Sequence, residues 1–484
     1  MPVELPGRCD HTNAGQGNKA YGVLGLMAMT TFPPIALPSR RPPLTFRQLL
    51  MAYIALTLLP YLWSLAQGLE VRGPYQLLLT MLNIAMFAAL LAQYPLSGRI
   101  AAVTRIAGVD NGMHLHRKAG EIVGLFFLLH PLLIVAPRFF IAPQKASADL
   151  WSSITTGEAS TGAFAWSIMT VFVLMSMYRE KLKLGYEAWR ISHGVALAAV
   201  AILGTDHAVS VGRHGRYNGW FFAMRVVLCV FAVAIVAYTY FVRPVLQKKR
   251  PFKVVDVQKV SSSDWSLTLE KDGDFPFAYD AGQFLWINTS GNPFMRTEHP
   301  FSLASSPTSL PRLSFIIREL GDYTAKLSSL KQGQRVYVDG PYGVFTLNGH
   351  SAEGIALIAG GAGIGPILGL LRQLQDLQDA RPIRLIYGNR NAEQMVFQDE
   401  ILTAEDSLSD FKQTLVLEQP SPVMVARPGF ISQALLEEQF SSEQQGTWLF
   451  YVCGPPVMVD AVASSLRKIG VPEHRIVFER LSFG

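Results

Sequence analysis

Two apolar stretches of equal length each begin and end on histidine: HRKAGEIVGLFFLLH at residues 116–130 and HGVALAAVAILGTDH at residues 193–207. In an α-helix the first and last histidines of such a stretch lie within about 40° of one another, on the same helix face. The two rings are then roughly 21 Å apart along the helix axis. Both stretches belong to apolar segments of about 20 residues, the length that crosses a bilayer. Ionisable residues inside a membrane are costly and mostly functional, so the repeated spacing indicates a function.

Two helices of this kind, packed side by side, present two pairs of imidazole groups at matching depths. We expect His116 to pair with His193, and His130 to pair with His207, each pair holding one haem iron from both sides. The sequence therefore predicts two b-type haems stacked across the membrane, with these four histidines as iron ligands. The alternative is that some of the four are polar residues satisfied by neighbouring helices, as serine and asparagine often are.

The composition divides the chain of 484 residues into an apolar part and a part of ordinary globular composition. Residues 46–243 are mostly apolar and residues 251–484 are not, which predicts a membrane domain followed by soluble domains. The net charge of +6 does not indicate nucleic-acid binding, because much of it lies in short loops beside the apolar segments. The three cysteines, Cys9, Cys229 and Cys453, exclude an all-cysteine iron–sulfur cluster within this chain, since such a cluster needs four ligands.

Six segments have the length and composition of membrane spans. They are residues 46–66, 74–94, 115–136, 162–178, 188–208 and 219–242. Basic residues cluster before the first span, between the second and third, after the fourth and after the sixth. By the positive-inside rule these loops are cytoplasmic, so we expect a multi-pass protein of the cell membrane whose termini and soluble half face the cytoplasm.

From residue 251 onward, short alternating strands separated by turn residues predict a small antiparallel β-barrel. The predicted strands are Phe252–Val260, Trp265–Glu270, Gln283–Ile287, Leu313–Ile317 and Arg335–Val338. Three further segments carry chemical groups: HPFSLASSP at 299–307, RELGDYT at 318–324 and DGPYG at 339–343. The first places a hydroxyl and an aromatic ring at a strand end, and the second joins an arginine to a helix start, which suits a pyrophosphate. Each segment alone is compatible with an ordinary turn, and it is their order and spacing that indicate a site.

At residue 355 the pattern changes to a buried strand, Ile355–Ala359, followed by the glycine turn GGAGIGP at 360–366 and the helix Ile367–Leu374. Strand, glycine turn and helix start together form a cradle for dinucleotide phosphates. Further strands follow at Arg384–Tyr387, Gln413–Leu417 and Trp448–Val452. Helices between these strands predict a parallel α/β sheet, whose carboxyl edge binds ligands. The segment CGPPVM at 453–458 falls on that edge, although a small buried residue is the alternative reading of Cys453.

The chain is thus expected to be multidomain, with a six-helix transmembrane bundle, an antiparallel β-barrel and an α/β nucleotide-binding domain. We place a flexible leader at residues 1–45, the membrane domain at 46–243, a linker at 244–250, the barrel at 251–347 and the nucleotide-binding domain at 348–484. The apolar stretch in the leader is too short for a span. A seventh span there is the alternative, and it would place the N-terminus outside.

The soluble half resembles the ferredoxin–NADP reductase superfamily along its whole length. The histidine-bearing spans resemble the transmembrane domain of ferric reductases and NADPH oxidases, and the two resemblances together cover about residues 46–484. The run His299-Pro-Phe-Ser302 is similar to the flavin motif of that family. The sequence has neither calcium-binding loops nor long cytoplasmic insertions, so it looks like the minimal, prokaryote-like form.

The resemblance implies FAD, two b-type haems and NAD(P)H, and it assigns residues to each. The residues implied to hold FAD are His299, Pro300, Phe301 and Ser302 at the isoalloxazine and ribityl part, and Arg318, Gly321 and Thr324 at the pyrophosphate. The residues implied to hold the nicotinamide nucleotide are Gly361, Gly363, Pro366, Cys453, Gly454, Pro455 and Met458. Phe483 would cover the flavin face, with an exposed tail as the alternative. Ser302, Cys453 and Phe483 are the residues expected beside the reacting atoms.

The expected function is a transmembrane electron conduit from NAD(P)H through FAD and two haems to O₂, giving superoxide, or to a ferric chelate. Arg390 follows Tyr387-Gly-Asn, where a cation can meet a 2′-phosphate, which favours NADPH over NADH. The basic outer loop at residues 213–216 would attract an anionic chelate or steady superoxide, with a merely solvated loop as the alternative. Two other functions stay open: a membrane-anchored cytoplasmic flavin reductase, and a cytochrome subunit that donates electrons to a periplasmic partner protein.

Overall fold

The computed structural model describes residues 44–69, 73–155, 160–182, 185–212, 219–295 and 297–481. The predicted leader lies outside the described residues except for its last two positions. Phe483 and the outer-loop residues 213–216 also lie outside them.

Helices make up the first half of the described chain. They are α1 (Phe46–Ala66), α2 (Pro74–Ala92), α3 (Ala101–Ala107), α4 (Val109–Ile141), α5 (Pro143–Thr155), α6 (Ser160–Met177), α7 (Arg179–Leu182), α8 (Tyr186–Ser210), α9 (Gly219–Ala237) and α10 (Arg243–Lys248). Six helical segments among the described residues are long and apolar enough to cross a membrane. The prediction of six spans is therefore confirmed, and α4, α6, α8 and α9 pack around a shared apolar core with α2.

Helix α4 is longer at both ends than the sequence indicated. It begins directly after Gly108, whose positive φ of 72° ends α3, and it continues through Pro131 and Pro137. Proline is tolerated in membrane helices because neighbouring groups satisfy the backbone atoms that it frees. The earlier start places His116 two turns inside the helix rather than at its first turn.

The last membrane helix runs into the soluble half without a break in helical structure. A π-helical turn at Tyr238–Val242 joins α9 to α10, and strand β1 begins at Pro251. Most of the segment predicted as a linker, residues 244–250, is therefore helical.

The first six strands form one antiparallel sheet. They are β1 (Pro251–Lys259), β2 (Asp264–Lys271), β3 (Phe284–Asn288), β4 (Glu298–Ser302), β5 (Arg312–Arg318) and β6 (Arg335–Tyr342), in the order β4-β3-β6-β1-β2-β5. A bridge between Leu303, just after β4, and Phe315 in β5 closes the sheet into a barrel. Its interior is a single apolar cluster that includes Phe252, Leu267 and Leu285. The predicted antiparallel barrel is confirmed.

The second half of the soluble region is a parallel sheet with helices. Its strands are β7 (Ile355–Gly360), β8 (Ile383–Asn389), β9 (Phe411–Leu417), β10 (Arg427–Pro428), β11 (Leu449–Gly454) and β12 (Ile476–Arg480), in the order β10-β9-β8-β7-β11-β12. Its helices are α12 (Ile364–Asp376), α13 (Gln398–Ser407), α14 (Gln433–Gln439), α15 (Ser442–Thr447) and α16 (Pro456–Lys468), while the short α11 (Asp322–Ala325) belongs to the barrel. Every pairing in this sheet is parallel, as predicted.

Candidate functional site

A cavity of about 1850 Å³ lies where the membrane helices, the barrel and the last strand meet. Its lining includes four residues of the predicted flavin motif, His299, Pro300, Phe301 and Ser302, together with Arg318, Gly321, Thr324 and Pro366. His116 from α4 and His193 from α8 line the same cavity. One continuous space therefore joins the predicted flavin residues to one of the two predicted histidine pairs.

Aromatic rings from two segments form one wall of the cavity. The His299 ring lies 4.0 Å from the Tyr323 ring, and the Phe301 ring is stacked against Tyr323 at 6.0 Å with an interplanar angle of 19°. The Tyr323 hydroxyl donates a hydrogen bond of 2.9 Å to the backbone oxygen of Ile287. Burial raises the pKa of Tyr323 to about 12, so this side chain is neutral at physiological pH. Tyr323 was not among the predicted site residues. It belongs to the cavity wall because its ring contacts His299 and Phe301 of β4, which are 22 or more positions away in sequence.

Arg318 is held in place by a buried carboxylate. Its Nε and Nη2 atoms lie 3.0 Å and 3.2 Å from the two carboxylate oxygens of Asp264, which is 1% exposed. The hydroxyls of Ser261 and Ser263 donate to the same carboxylate. A two-point contact of this kind fixes the plane of the guanidinium.

The glycine turn of the nucleotide domain approaches the free edge of that guanidinium. Gly361 has a φ of +54°, and a Cβ at this position would lie 2.5 Å from Arg318 Nη1. Only a residue without a side chain allows the backbone to come this close. The structure thus brings together the arginine predicted for the pyrophosphate and the bare turn predicted for the nucleotide, beside one cavity. Such a pairing of a fixed cation with exposed backbone suits a phosphate group.

Gly321 and Thr324, also predicted to hold the pyrophosphate, form hydrogen bonds with each other. The Thr324 hydroxyl oxygen accepts hydrogen bonds from the backbone N–H groups of Leu320 and Gly321, at 2.9 Å and 3.0 Å. This arrangement caps α11 and shapes the cavity wall. Their predicted direct role stays a prediction.

Ser302 forms a hydrogen bond with a carboxylic acid that is not among the predicted site residues. Its hydroxyl donates a hydrogen bond of 3.4 Å to Glu479 Oε1, and Glu479 Oε2 is buried without a hydrogen-bond partner among the described residues. Burial, followed by the negative charge of Asp110, raises the pKa of Glu479 to about 8. Glu479 therefore holds a proton at neutral pH, next to Ser302 at the end of β4. A glutamate after a single apolar strand, Ile476–Phe478, carries no sequence signal that would have identified it.

Cys453 is fully buried, and it is absent from the described residues that line the cavity. Burial, followed by the charge of Glu479, raises the pKa of its thiol, so Cys453 is a neutral thiol rather than a thiolate. Its backbone oxygen lies so close to Gly363 that a Cβ there would meet it at 2.2 Å. Gly360 approaches Met458 Sδ in the same way, at 2.1 Å from a built Cβ. The turns after β7 and β11, including Gly454 and Pro455, therefore pack directly on one another.

Arg390 lies away from this cavity, at the end of β8. It is 66% exposed, and its Nε atom is 4.0 Å from Glu418 Oε2. Arg390 lies at the carboxyl edge of the sheet, as predicted, next to the acidic side chain of Glu418.

His116 and His193 are each oriented by a hydrogen bond at one ring nitrogen. His116 Nδ1 lies 3.2 Å from the backbone oxygen of Gln93, and His193 Nδ1 lies 3.3 Å from Ser176 Oγ. A backbone oxygen only accepts hydrogen bonds, so the proton of His116 is on Nδ1 and Nε2 keeps its lone pair. The indole of Trp189 is stacked on His193 at 5.2 Å. Metal-binding histidines are oriented in this way, by a partner on the nitrogen that does not bind the metal.

His130 and His207 lie further along the same two helices. His130 is in α4 and His207 is in α8, the two helices that also carry His116 and His193, and the predicted pairing stays a prediction. The Nδ1 atoms of both His130 and His207 are buried without hydrogen-bond partners among the described residues. Helix α6 reaches His207 so closely that a Cβ on Gly162 would lie 2.4 Å from its Nδ1 atom. Four imidazoles on two helices are the donor set that two bis-histidine haems require, and their role as iron ligands stays a prediction.

Three family models match successive parts of the chain. Residues 79–205 match the ferric reductase like transmembrane component, residues 249–346 match an FAD-binding domain, and residues 357–464 match the oxidoreductase NAD-binding domain. These matches define a membrane-bound flavin-dependent oxidoreductase. The chain belongs to the ferric reductase/NADPH oxidase-like fusion proteins, which join such a transmembrane component to FAD-binding and NAD-binding domains.

Curated relatives match about half of the chain. The reductase component of propane 2-monooxygenase from Gordonia sp. (strain TY-5) is 30% identical over 239 residues, which are 48% of this chain and 67% of that protein. The same component from Mycolicibacterium goodii is 28% identical, over 47% of this chain and 66% of its own length. The gamma subunit of sulfhydrogenase 2 from Pyrococcus furiosus is 29% identical, over 46% of this chain and 80% of its own length. The chain thus spans about two thirds of the first two relatives.

Solved structures match a similar share of the chain. Amycolatopsis cytochrome P450 reductase GcoB aligns over 48% of this chain and 69% of its own, with 25% identity and a TM-score of 0.43. Phthalate dioxygenase reductase aligns over 49% of this chain and 69% of its own, with 24% identity and a TM-score of 0.40.

Proposed function

We propose that this chain is a transmembrane NAD(P)H oxidoreductase that transfers electrons from cytoplasmic NAD(P)H, through FAD and two b-type haems, to an acceptor on the outer side of the cell membrane. The acceptor is O₂, reduced to superoxide, or a ferric chelate. The observation that carries this proposal is the single cavity that strand β4 lines together with His116 and His193. A flavin reductase that used its membrane helices only as an anchor would have no need of a space shared with buried histidines.

When bound, FAD takes two electrons from the nucleotide and releases them singly, and each haem carries one electron. The protein residues bind, orient and supply protons. Arg318, held by Asp264, offers a fixed cation beside the bare backbone of Gly361, which suits the pyrophosphate of FAD or of the nucleotide. Ser302 and Glu479 form a hydrogen-bonded pair that can hold a proton next to the flavin strand.

At the inner haem site, His116 and His193 would supply the axial ligands. The carbonyl of Gln93 holds the proton on Nδ1 of His116, which leaves the Nε2 lone pair able to bind a haem iron. His130 and His207 would do the same at the outer site. A haem held by a histidine on each side would leave its iron no position for the acceptor, and would supply electrons to it from the haem edge.

The orientation follows from charge. Arg99 and Arg190 contact the barrel, so the α2–α4 connection and the start of α8 lie on the side of the soluble domains. Arg105 and Lys118 belong to that side as well, and the exposed Lys248 follows the last span. Basic residues mark the cytoplasmic ends of membrane helices, which supports a cytoplasmic soluble half.

For the nucleotide we propose NADPH. Arg390 stands at the carboxyl end of β8, where parallel sheets of this kind contact the adenosine ribose, and it is largely exposed. A guanidinium there would bind the 2′-phosphate that distinguishes NADPH from NADH.

An anaerobic difference spectrum tests the whole path. The detergent-purified protein is loaded with FAD and haem, and its spectrum is recorded before and after addition of NADPH. Reduced b-type bands at about two haems per chain are expected. Haem bands that respond to dithionite but not to NADPH would contradict coupling between the halves, and a well-folded protein without haem bands would remove the histidine assignment.

The acceptor side separates the proposal from its two rivals. His130→Ala should abolish reduction of O₂ and ferric chelates from NADPH while FAD is still reduced. Unchanged turnover in that variant would favour a flavin reductase that is only anchored in the membrane. Negligible turnover of the parent protein with either acceptor, restored by a periplasmic extract, would favour donation to a protein partner.

A further inference from the structure

Five charged side chains meet where the membrane helices contact the barrel. They are Arg99, Arg190, Arg243, Glu298 and Asp339, which we call the junction cluster. Their side chains are between 3% and 15% exposed. Buried charges are costly to remove from water and are stable only when they are paired, so this cluster persists only while both sides of the junction are in contact.

Glu298 is the centre of the junction cluster. One carboxylate oxygen, Oε1, lies 2.8 Å from Arg243 Nη2 and 3.2 Å from Arg190 Nη2, and Oε2 lies 3.4 Å from Arg99 Nη1. Asp339 adds a second acceptor, with Oδ2 at 2.9 Å from Arg243 Nη1 and 3.7 Å from Arg99 Nη1. Arginines from three separate membrane-side elements therefore converge on a single glutamate.

The two signs of charge are segregated by domain. All three arginines belong to the membrane half, since Arg99 follows α2, Arg190 is in α8 and Arg243 begins α10. Both carboxylates belong to the barrel, with Glu298 in β4 and Asp339 in β6. An ion-pair network inside one domain would mix the two signs within that domain. This arrangement instead is complementary across an interface, as in docking between two separate proteins.

The junction cluster directly links β4, which carries the predicted flavin motif, to α8, which carries His193. Glu298 is the residue before His299, which starts the flavin motif, and Arg190 is three residues before His193. A second contact runs parallel to the first, with His299 Nε2 at 3.7 Å from Glu187 Oε1 in α8. Two successive residues of β4 thus contact two residues of α8 that lie one helical turn apart.

Neighbouring side chains hold the same register. The Arg99 guanidinium stacks on the Trp286 ring at 3.4 Å, and the Tyr342 hydroxyl lies 3.0 Å from Asp339 Oδ2 and 3.3 Å from the Arg99 backbone oxygen. Gln247 Nε2 of α10 donates to the Val338 backbone oxygen at 3.4 Å. The contact area is therefore fixed at several points, with the charges at its centre.

We propose that Glu298 and the junction cluster are a positioning device that holds flavin strand β4 in one register on haem helix α8, and so sets the rate at which electrons pass between the two halves. The inference rests on the proposed function for its electron-transfer consequence, but the positioning itself does not. Overall, one NADPH would give NADP⁺, one proton and two electrons, and the electrons would reduce two ferric haems one at a time. Hydride transfer to FAD would come first, and the transfer from flavin to haem is the later step that depends on the register. Electron transfer depends steeply on separation and orientation, so a loosened register slows this step and leaves the earlier ones intact.

The first test compares Glu298→Gln with a matched control. Glu270→Gln removes a barrel carboxylate that pairs with Lys253 and Arg312 without reaching the membrane half. In the full-length protein loaded with FAD and haem, Glu298→Gln should leave reduction of FAD by NADPH within about twofold. Reduction of haem by NADPH should fall by about 100-fold, since small misplacements of reacting groups have effects of that size. Glu298→Asp, which keeps the charge on a shorter side chain, should recover part of the loss, and Glu270→Gln should lose nothing.

A second readout needs no cofactor. Hydrogen–deuterium exchange on the cofactor-free chain should quicken in Glu298→Gln at residues 297–302 and 95–101, and stay unchanged in β7, which lies outside the junction. Arg190→Gln should act in the same direction. The double variant should be no worse than the more severe single variant, since both act through one contact.

The outcomes separate this inference from the proposed function. A parent protein whose haem does not respond to NADPH, with exchange that still quickens in Glu298→Gln, would refute the conduit and retain the positioning device. Unchanged exchange together with unchanged haem reduction in Glu298→Gln would overturn the positioning device and leave the conduit intact. Equal slowing of FAD and haem reduction would show a general structural role, and would also overturn it.

Discussion

Replacing Glu479 with glutamine should stabilise the protein, and the gain should grow with pH. The pKa of Glu479 is raised from its ordinary value of 4.5 to about 8, first because desolvation at this partly buried position disfavours the charged carboxylate and second because of the negative charge of Asp110. Between these two pH values the unfolded chain has lost the proton while the folded chain keeps it. Folding stability therefore falls as pH rises through this window, by about 1.4 kcal/mol per pH unit.

The size of the effect follows from the width of that window. At pH 7 the cost is about 3 kcal/mol, and above pH 8 it approaches about 5 kcal/mol. Glutamine has the same shape and does not ionise, so Glu479→Gln lacks this pH-dependent cost. For a soluble part of this size, 1 kcal/mol moves the unfolding midpoint by about 2–4 °C. The difference in unfolding midpoint between Glu479→Gln and the parent should thus increase by roughly 10 °C from pH 5 to pH 8.

Thermal unfolding of the detergent-solubilised full chain, followed by tryptophan fluorescence at pH 5 to 9, measures this difference. Glu405→Gln, an exposed position in α13, is the control and should follow the parent at every pH. The parent and Glu479→Gln should also differ in the rate of FAD reduction by NADPH. This rate should decline above pH 8 in the parent but not in Glu479→Gln. Midpoints of parent and Glu479→Gln that shift in parallel with pH would refute the reasoning.

Three substitutions test the ligand sites individually. Gly361→Ala should raise the dissociation constant for FAD or NADPH at least tenfold by titration, because its Cβ would lie 2.5 Å from Arg318 Nη1 at a φ of +54° (about 1.4 kcal/mol). Gly162→Ala should reduce the haem content by about half in a pyridine haemochrome assay, because its Cβ would lie 2.4 Å from His207 Nδ1 and displace a proposed haem ligand. Arg390→Ala should raise the KM for NADPH about tenfold and leave the KM for NADH nearly unchanged, because the 2′-phosphate loses its cation.

Two glycines in open surroundings provide controls. Gly291 has a φ of +75° and no atom within 4 Å of a built Cβ, so Gly291→Ala reports the backbone strain alone. Gly185, at the start of α8, is equally open, and Gly185→Ala should keep both haems. If Gly361→Ala and Gly291→Ala have equal effects, the contact with Arg318 is not the cause. Equal changes of the two KM values in Arg390→Ala would remove the NADPH assignment.

The sequence was sufficient wherever a local pattern determines the structure. Alternating strands, the glycine turn after β7 and the six apolar segments all follow from side-chain periodicity, and each is confirmed. Strand β4 was predicted only as a strand end, since Pro300 cannot donate to a ladder hydrogen bond and it interrupts the alternation. It nevertheless pairs with β3 along its whole length, with Pro300 opposite Trp286.

The site was predicted less completely, because its geometry comes from contacts between distant segments. Three contacts join elements that are separate in sequence: the ion pair of Arg318 with Asp264, the ring contact of Tyr323 with His299 and the hydrogen bond from Ser302 to Glu479. None of these partners has a motif of its own. The four histidines lie on α4 and α8 as their spacing predicted, since a helix repeats its own face, and their role as haem ligands stays a prediction.

The uninterrupted helix from α9 through Tyr238–Val242 into α10 makes the attachment of the barrel a matter of helical phase. Each residue inserted or deleted there would turn everything beyond it by about 100° and move it by about 1.5 Å along the axis. Natural length variation at this position should therefore come in steps of three or four residues. A chimera that grafts a different reductase onto these helices needs to match that phase as well as the contact surface, and a flexible glycine–serine connection would discard the angular information that the helix carries.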